Sequence, residues 1–281
     1  MKIGLNMMLW TTQVTEAHFP LFDTLKAVGY DGVEIPILQG NLETAPHQKV
    51  AQALRDSGLQ CSASTAMPDA AHNAISADAG ERAKAVEFMQ RVIDCSKAVG
   101  AEVLIGPFYQ PLGLFTGVGP TDNEQAVGVE SMRTMAEYAQ TQALTLAVEF
   151  LNRFECYFLN TLADAAALVK AVDNPHFGAM FDSFHANIEE KDPAAAIATH
   201  GEVIRHVHIS ENDRGTPGSG HVDFEALFKA LKARGYDGWY TIEAFGLALP
   251  DLAAAARIWR KCFASEEEVY EKGYTLIKSL V

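Results

Sequence analysis

The chain has few cysteines, no long apolar run and a shortage of positive charge, and each shortage argues against a class of protein. Its 281 residues contain four scattered cysteines and no C-x-x-C pair, which argues against a disulfide framework. No apolar run approaches the roughly 20 residues that cross a bilayer. Lys and Arg number 22 against 36 Asp and Glu, a formal net charge of −14. This acidic balance argues against nucleic acids and anionic membrane surfaces as partners.

The N-terminal segment 1–10 is apolar but short, and it has no small-residue cleavage site. We therefore expect it to form a first β-strand rather than a signal peptide. Together with the scattered cysteines, this indicates a reducing compartment, and we predict a cytoplasmic protein. Cys61 lies inside a strand-like run and is expected to be a small core residue.

Strand-like runs alternate with segments of helical spacing from one end of the chain to the other. The eight runs lie near residues 3–9, 32–37, 59–65, 102–106, 144–149, 177–182, 203–209 and 239–244. Alternation predicts a parallel sheet with helical crossovers, and eight units predict closure into a barrel. We therefore predict an α/β fold, a (β/α)8 TIM barrel that forms a single domain over residues 1–281.

Two segments add to the basic pattern of eight strand–helix units. Residues 107–121 are rich in Gly, Pro and aromatic residues and follow the fourth strand, so we expect a long loop that could cover a ligand. Tyr270, Tyr274, Ile277 and Val281 form an apolar stripe at helical spacing. This stripe predicts an extra C-terminal helix that packs on the barrel or on a second subunit.

Four polar residues stand at the ends of consecutive predicted strands: Glu149, Asp182, His208 and Glu243. They are 33, 26 and 35 positions apart, about one strand–helix unit each. Each residue alone has a plain structural explanation, such as a helix cap for Asp182 or a buried histidine for His208. Four at equivalent positions are harder to explain separately, because the carboxyl ends of barrel strands meet at one mouth. Three carboxylates and an imidazole there predict a site for one Mn²⁺, Mg²⁺ or Co²⁺ ion with open positions for a substrate.

The two glutamates suggest acid–base chemistry. Glu149 and Glu243 belong to the fifth and eighth strands, on opposite sides of the set. A metal that binds a sugar carbonyl and the neighbouring hydroxyl stabilises the enediolate left when the carbon between them loses its proton. One glutamate can remove this proton from one face and the other can return a proton to the opposite face. The pair therefore predicts inversion at a carbon beside a carbonyl. Nearby polar residues, among them Glu155, His185 and Arg214, could bind the sugar.

The stretches around these residues resemble the ketose 3-epimerases, the D-tagatose/D-allulose 3-epimerase family of the xylose-isomerase-like barrel superfamily. The resemblance rests on Glu149-Phe-Leu-Asn-Arg-Phe-Glu155, Asp182-Ser-Phe-His-Ala-Asn-Ile-Glu-Glu190, His208-Ile-Ser-Glu-Asn-Asp-Arg214-Gly-Thr-Pro-Gly-Ser-Gly220 and Glu243-Ala-Phe245. It covers most of the chain and is densest from 144 to 246.

The resemblance implies roles for eight residues. Glu149, Asp182, His208 and Glu243 would hold the metal, and Glu149 and Glu243 would also exchange the C3 proton through a metal-held cis-enediolate. Glu155, His185 and Arg214 would bind the sugar around O1 to O3, and Phe245 would line the pocket. The family also implies Mn²⁺ or Co²⁺ and a homodimer or homotetramer; we predict Mn²⁺, with Co²⁺ or Mg²⁺ as alternatives.

The substrate and some alternatives stay open at this point. The expected reactions are D-tagatose/D-sorbose, D-allulose/D-fructose or L-ribulose/L-xylulose interconversion. The enzymatic alternatives on the same barrel are an aldose–ketose isomerase like hydroxypyruvate isomerase, a lyase like inosose dehydratase, and a sugar-phosphate epimerase. A sugar-phosphate would have to bind near the Gly215–Gly220 loop, where Glu211 and Asp213 would repel it. A DNA-repair endonuclease would require more histidines and a basic groove, and a non-catalytic sugar-binding protein would bind a ketose without turnover.

Overall fold

A closed barrel of eight parallel strands, hydrogen-bonded in chain order, forms the centre of the molecule. The computed structural model describes all 281 residues, and its last strand pairs with its first through Lys2↔Trp239 to Leu5↔Ile242. The strands are β1 Lys2–Asn6, β2 Gly32–Pro36, β3 Gln60–Ser64, β4 Val103–Gly106, β5 Thr145–Glu149, β6 Phe177–Asp182, β7 Ile204–Ile209 and β8 Trp239–Ile242. The predicted (β/α)8 barrel is confirmed.

Ten α-helices surround or cap the barrel. They are α1 Phe19–Val28, α2 Thr44–Asp56, α3 Ala79–Val99, α4 Asp122–Thr141, α5 Leu162–Val172, α6 Ser183–Glu189, α7 Pro193–His200, α8 Phe224–Ala233, α9 Pro250–Ala255 and α10 Glu266–Leu280. Short 3-10 helices occupy Met7–Leu9, Glu16–His18 and Gly201–Val203. None of the helices has both the length and the apolar character that a membrane span requires.

Helix α8 shows how the helices of the outer layer bury an apolar face. Asp223 caps its N-terminus by accepting a hydrogen bond from the backbone N–H of Ala226 at 3.0 Å. Phe224, Leu227, Phe228 and Leu231 recur at helical spacing and are all buried. Cys61 on β3 is likewise buried in the core between the strands and helices, as expected.

The first strand is shorter than its apolar run predicts. β1 ends at Asn6 rather than near residue 9, because the Asn6 side chain accepts a hydrogen bond from the backbone N–H of Met8 at 2.8 Å. This local bond turns the chain into the 3-10 helix Met7–Leu9. The turn leaves Asn6 at the mouth-side end of β1, next to the strand-end carboxylates.

The extra C-terminal helix packs on the barrel wall. The Tyr30 hydroxyl, at the start of the turn before β2, donates a hydrogen bond to the Tyr270 carbonyl oxygen at 2.7 Å. The rings of Tyr30 and Tyr274 lie 5.2 Å apart, and Ile277 is fully buried. Helix α10 therefore closes the outside of the barrel where β8 meets β1.

Candidate active site

The four strand-end residues converge at the carboxyl-terminal mouth of the barrel. Glu149 and Asp182 are the last residues of β5 and β6, His208 is the penultimate residue of β7, and Glu243 directly follows β8. The parallel register places Asp182 opposite His208. All four side chains are buried, from 0% to 6% exposed. The structure thus brings together the residues that the sequence singled out.

The donor atoms of these residues suit a divalent cation. Atoms of Glu149, Asp182 and His208 lie within 4.8 Å of one another. Nδ1 of His208 lies 3.4 Å from Asp182 Oδ2 and 3.4 Å from Glu243 Oε1, and it has no hydrogen-bond partner. A buried ring nitrogen without a partner, facing three carboxylates, is a set of donors that Mn²⁺, Co²⁺ or Mg²⁺ accepts.

The Asp182 carboxylate both caps a helix and faces the site. Its Oδ1 accepts a hydrogen bond from the backbone N–H of Phe184 at 2.6 Å and so caps helix α6, which starts without a loop after β6. Its Oδ2 faces His208. The cap fixes the carboxylate, and the second oxygen stays available to the site.

Burial and neighbouring charges shift the two glutamates in opposite directions. Burial raises the pKa of Glu149 well above its usual value, and the Asp182 and Glu243 carboxylates add to the shift. Burial also acts to raise the pKa of Glu243, but His208 and Arg214 outweigh it and leave that pKa lowered. The carboxylates therefore repel one another in the protein alone, and a bound cation would relieve this repulsion.

Arg214 reaches the site from the loop after β7. Its guanidinium lies between the rings of Phe184, 4.0 Å away, and Phe245, 4.7 Å away, and its Nη1 contacts Glu243 Oε2. Its backbone has a φ of 60°, which costs about 1–3 kcal/mol for a residue other than glycine. The loop accepts this strained conformation while it presents a desolvated guanidinium to the cavity.

A backbone bond selects the tautomer of His185, on helix α6. The Asn152 N–H donates to His185 Nδ1 at 3.0 Å, so the proton of the neutral ring belongs on Nε2. Burial lowers the pKa of His185 to about 3, which keeps the ring neutral. Nε2 lies 3.0 Å from Arg214 Nη2 and 3.6 Å from Glu149 Oε1. With the proton on Nε2, this contact with Arg214 sets two donors beside each other, so both lack an acceptor there and an oxygen atom placed beside them would satisfy both.

A cavity of about 170 Å³ opens between these residues. Its walls include the mouth residues Glu149, Glu155, His185, Arg214, Glu243 and Phe245. The Asn152 side chain donates a hydrogen bond to Glu155 Oε1 at 2.9 Å and so joins Glu155 to the His185 ring. Met8, Leu38, Pro107 and Leu112 line the cavity as well. The loop 107–121 therefore contributes to the cavity wall through its first residues, while Phe115 in its middle is exposed.

Two arginines, Arg153 and Arg214, belong to the stretches that carry the family resemblance, and the structure places them differently. Arg153 lies on the outside, where Nη2 pairs with Glu189 Oε2 at 2.8 Å. Asp213 pairs with Arg260 at 3.1 Å, so Arg214 is not held by its acidic neighbour. Of the two arginines, Arg214 alone enters the cavity.

Three buried polar residues beneath the mouth were missed by sequence reasoning. Glu34 on β2 is fully buried, and its Oε1 lies 2.9 Å from His208 Nε2. His206 on β7 places Nε2 3.0 Å from Glu34 Oε2, and Asn6 donates a hydrogen bond to Glu34 Oε1 at 2.9 Å. The available signal was an acidic residue in the middle of the apolar run Gly32-Val-Glu-Ile-Pro36, where a carboxylate requires buried partners.

The buried carboxylate of Glu211 holds the Gly215–Gly220 loop in place. Its carboxylate accepts hydrogen bonds from the backbone N–H groups of Gly218 at 2.8 Å, His221 at 3.1 Å and Val222 at 3.1 Å. Glu211 is fully buried, so it does not project into the loop's solvent side as a repulsive charge. Backbone amides that could bind an anion are already used by this internal carboxylate.

Comparisons with known proteins agree with the fold and identify a family. The family model described as "Xylose isomerase-like TIM barrel" matches residues 22–273. The ketose 3-epimerase of Arthrobacter globiformis is 32% identical over 96% of this chain and 93% of that protein. The L-ribulose 3-epimerase of Methylomonas sp. is 31% identical over 89% of this chain and 87% of its own. A crystal structure of D-allulose 3-epimerase from Methylomonas sp. in complex with D-allulose superposes with a TM-score of 0.91, at 28% identity, over 100% of this chain and 97% of that one.

Fold and mouth define a class of closed parallel barrel with a carboxylate-rich site, suited to a divalent cation, at the strand ends. Within that class, the chain belongs to the xylose isomerase-like TIM barrel family and to its ketose 3-epimerases, which are isomerases.

Proposed function

We propose that this protein inverts C3 of free ketoses, with one of Glu149 and Glu243 removing the C3 proton from one face and the other supplying a proton to the opposite face. The observation that carries the proposal is the pair itself: two buried carboxylates that face one cavity, with His208 and Asp182 between them. The expected substrates are D-tagatose/D-sorbose, D-allulose/D-fructose and L-ribulose/L-xylulose. Relatives named ketose 3-epimerase and L-ribulose 3-epimerase support this substrate class.

Glu149, Asp182, His208 and Glu243 would hold one divalent ion, for which we propose Mn²⁺, with Co²⁺ or Mg²⁺ as substitutes. When bound, the ion supplies a positive charge that stabilises the enediolate formed when C3 loses its proton. The chain supplies the ligands at the ends of four consecutive strands, which are held rigidly by the barrel hydrogen bonds.

The proton moves between this chain's own groups and the sugar. One glutamate takes the C3 proton from one face of the ketose, and the electron pair of the C–H bond passes into the enediolate. The other glutamate then gives a proton to the opposite face of C3, and the C2 carbonyl forms again. Each positioned acid or base contributes a rate factor of about 10²–10⁴. The two glutamates exchange protonation states, and proton exchange with solvent restores them before the next turnover in the same direction.

The sugar would be oriented by the donors beside Glu149. His185 presents Nε2–H, because Asn152 occupies Nδ1, and Arg214 presents Nη2 3.0 Å away. An oxygen atom between them would accept both hydrogen bonds. Glu155 supplies a carboxylate acceptor for a sugar hydroxyl on the same wall, and Phe245 supplies an apolar surface. These contacts support the assignment of all four residues to substrate binding.

The loop after β7 favours an unphosphorylated sugar. A phosphate would require free backbone amides, and those of Gly218, His221 and Val222 already donate to Glu211. A phosphate would also have to displace a fully buried carboxylate. This supports free ketoses over sugar phosphates.

Proton exchange in D₂O tests the proposal. Protein stripped of metal and reloaded with Mn²⁺, or with diamagnetic Mg²⁺ for spectra in the tube, is incubated separately with D-fructose, D-tagatose and L-ribulose. We expect deuterium at C3 and accumulation of the C3 epimer, both abolished by EDTA. Deuterium at C1 with an aldose product would instead assign an aldose–ketose isomerase. Metal binding without exchange on any of the ketoses would refute the proposal.

We also propose that the enzyme acts in the cytoplasm as a homodimer or homotetramer. The scattered cysteines support the first part, since Cys61, Cys95 and Cys156 are buried and unpaired. Light scattering after size-exclusion chromatography would measure the number of subunits.

A further inference from the structure

Both oxygens of the Glu34 carboxylate are bonded beneath the mouth, and the mechanism above makes no use of this residue. It is fully buried on β2, below the level of the four strand-end residues. Its Oε1 accepts a hydrogen bond from Asn6 Nδ2 at 2.9 Å, and its Oε2 accepts one from the Ser62 hydroxyl at 2.9 Å. The strands β1, β2 and β3 therefore fix both oxygens of this carboxylate.

The fixed carboxylate meets the ring of His208 from the side opposite to the site. Because an ionised carboxylate can only accept, the 2.9 Å contact between Glu34 Oε1 and His208 Nε2 requires the proton on Nε2. In the neutral ring that a metal ion would bind, Nδ1 then keeps a lone pair, and Nδ1 is the nitrogen that lies 3.4 Å from both Asp182 and Glu243. In metalloproteins, such a carboxylate behind a histidine fixes the ring's tautomer and orientation, and its loss typically costs about 10–100-fold in metal affinity.

Asn6 extends this support to the second glutamate. Its Oδ1 is occupied by the backbone N–H of Met8 at 2.8 Å, so its Nδ2 must face the carboxylates. Nδ2 donates to Glu34 Oε1 at 2.9 Å and to Glu243 Oε1 at 3.2 Å. The Asn6 amide thus links Glu34, which lies behind His208, to Glu243 of the proposed acid–base pair.

We propose that Glu34 is a positioning residue that holds His208 in its Nε2–H tautomer, with Nδ1 directed to the metal, and that Asn6 couples this support to Glu243. The inference rests on the metal site of the proposed function. It assigns no direct contact with the sugar to either residue.

Titration of the metal-free protein with Mn²⁺ by calorimetry tests the proposal without turnover. We expect Glu34→Gln to bind Mn²⁺ roughly 10–100-fold more weakly than the parent protein. The matched control is Ser62→Ala, which removes a hydrogen bond from the same carboxylate but leaves the contact with His208; we expect a change of less than about threefold, given the modest net value of one such bond. Equal affinity of Glu34→Gln and the parent would overturn the proposal.

A second measurement does not depend on the folding of a variant. Long-range ¹H–¹⁵N spectra of the parent protein loaded with Mg²⁺ report which ring nitrogen of His208 carries the proton. We expect the proton on Nε2, and a proton on Nδ1 would overturn the proposal.

Binding of a second equivalent of Mn²⁺ that disappears in Glu34→Gln would also overturn it, because Glu34 and His206 would then be ligands of another ion.

The outcomes separate this inference from the proposed function. If the parent binds Mn²⁺ and exchanges C3 protons while Glu34→Gln binds Mn²⁺ equally well, the inference alone fails. If the parent exchanges no C3 protons but loses Mn²⁺ affinity on Glu34→Gln, the proposed reaction fails and the positioning role stands.

Discussion

The carboxylate of Glu211 accepts a hydrogen bond from the backbone N–H of Gly218 at 2.8 Å, and this bond ties the start of the loop after β7 to its returning arm. Arg214 lies between the two residues, and its own backbone N–H donates to the Glu211 carbonyl oxygen at 2.9 Å. The loop that presents the guanidinium is therefore built around a buried side chain that never reaches the cavity.

We predict that Glu211→Gln weakens substrate binding. The glutamine amide would place N–H groups against backbone N–H donors, and each buried group left unpaired costs about 1–3 kcal/mol. KM for the best ketose should rise about tenfold or more, with a smaller change in kcat. Asp213→Asn is the control in the same loop, because asparagine keeps an acceptor for the Gly215 N–H. If Glu211→Gln and Asp213→Asn raise KM equally, the position of the Arg214 side chain depends on the loop in general and not on Glu211 in particular.

Arg214→Lys should lower kcat/KM by about 10²-fold. A lysine ammonium lacks the planar group that lies between Phe184 and Phe245, and it cannot occupy Glu243 and the point beside His185 together. Initial rates over a range of ketose concentrations measure the effect. Arg153→Lys is the matched change outside the cavity and should stay within about twofold, as surface pairs contribute little. Wild-type rates for Arg214→Lys would remove Arg214 from the binding site.

Glu149→Gln should slow C3 proton exchange by about 10²–10⁴-fold, because the amide cannot take or give the proton. Glutamine keeps one oxygen ligand, so Mn²⁺ per chain, measured by elemental analysis, tells loss of the base from loss of the metal. Glu189→Gln, which alters the carboxylate partner of Arg153 outside the cavity, is the control. Exchange at the parent rate with Mn²⁺ bound would contradict the assigned role of Glu149.

Metal removal should lower the melting temperature. Without a cation, the buried carboxylates of Glu149, Asp182 and Glu243 face one another, and an ion that binds the folded protein alone at 100 times its Kd adds about 2.7 kcal/mol. Thermal unfolding with EDTA and with added Mn²⁺ measures the change. Asp182→Asn keeps the helix cap but removes a charged ligand, so its melting temperature should respond less to Mn²⁺. An equal response would place the ion elsewhere.

His47 on helix α2 should make the protein less stable in mild acid. Burial lowers the pKa of His47, and the ring also contacts the Asn41 carbonyl oxygen at 2.9 Å. The unfolded chain, with a pKa of about 6.5, then binds a proton that the folded chain resists. This contribution to stability is fully present above about pH 6.5 and is lost as the pH falls toward the folded pKa.

Urea unfolding at about pH 7 and about pH 5 tests this point. The difference in unfolding free energy between the two pH values should be smaller in His47→Gln than in the parent, since one linked protonation is gone. His200→Gln, at the end of helix α7, serves as the comparison. An unchanged difference in His47→Gln would show that His47 takes up no linked proton.

The amino-acid sequence alone determined the barrel and the residues at its mouth. Eight apolar runs that alternate with helical segments favour a parallel sheet with helical crossovers, and the polar residues at the ends of these runs then have a defined place at one end of the sheet. Glu149, Asp182, His208 and Glu243 were found in this way because their positions depend on local periodicity and on closure of the barrel.

Tertiary structure alone decided what supports those residues. Glu34, Asn6 and His206 lie on β2, β1 and β7, and only closure of the barrel brings Asn6 within 3.2 Å of Glu243, 237 positions away in the chain. The tautomer of His185 depends on a backbone N–H of Asn152, 33 positions away in the chain. Such contacts follow from packing between distant segments, and no local pattern of hydrophobic and polar residues specifies them.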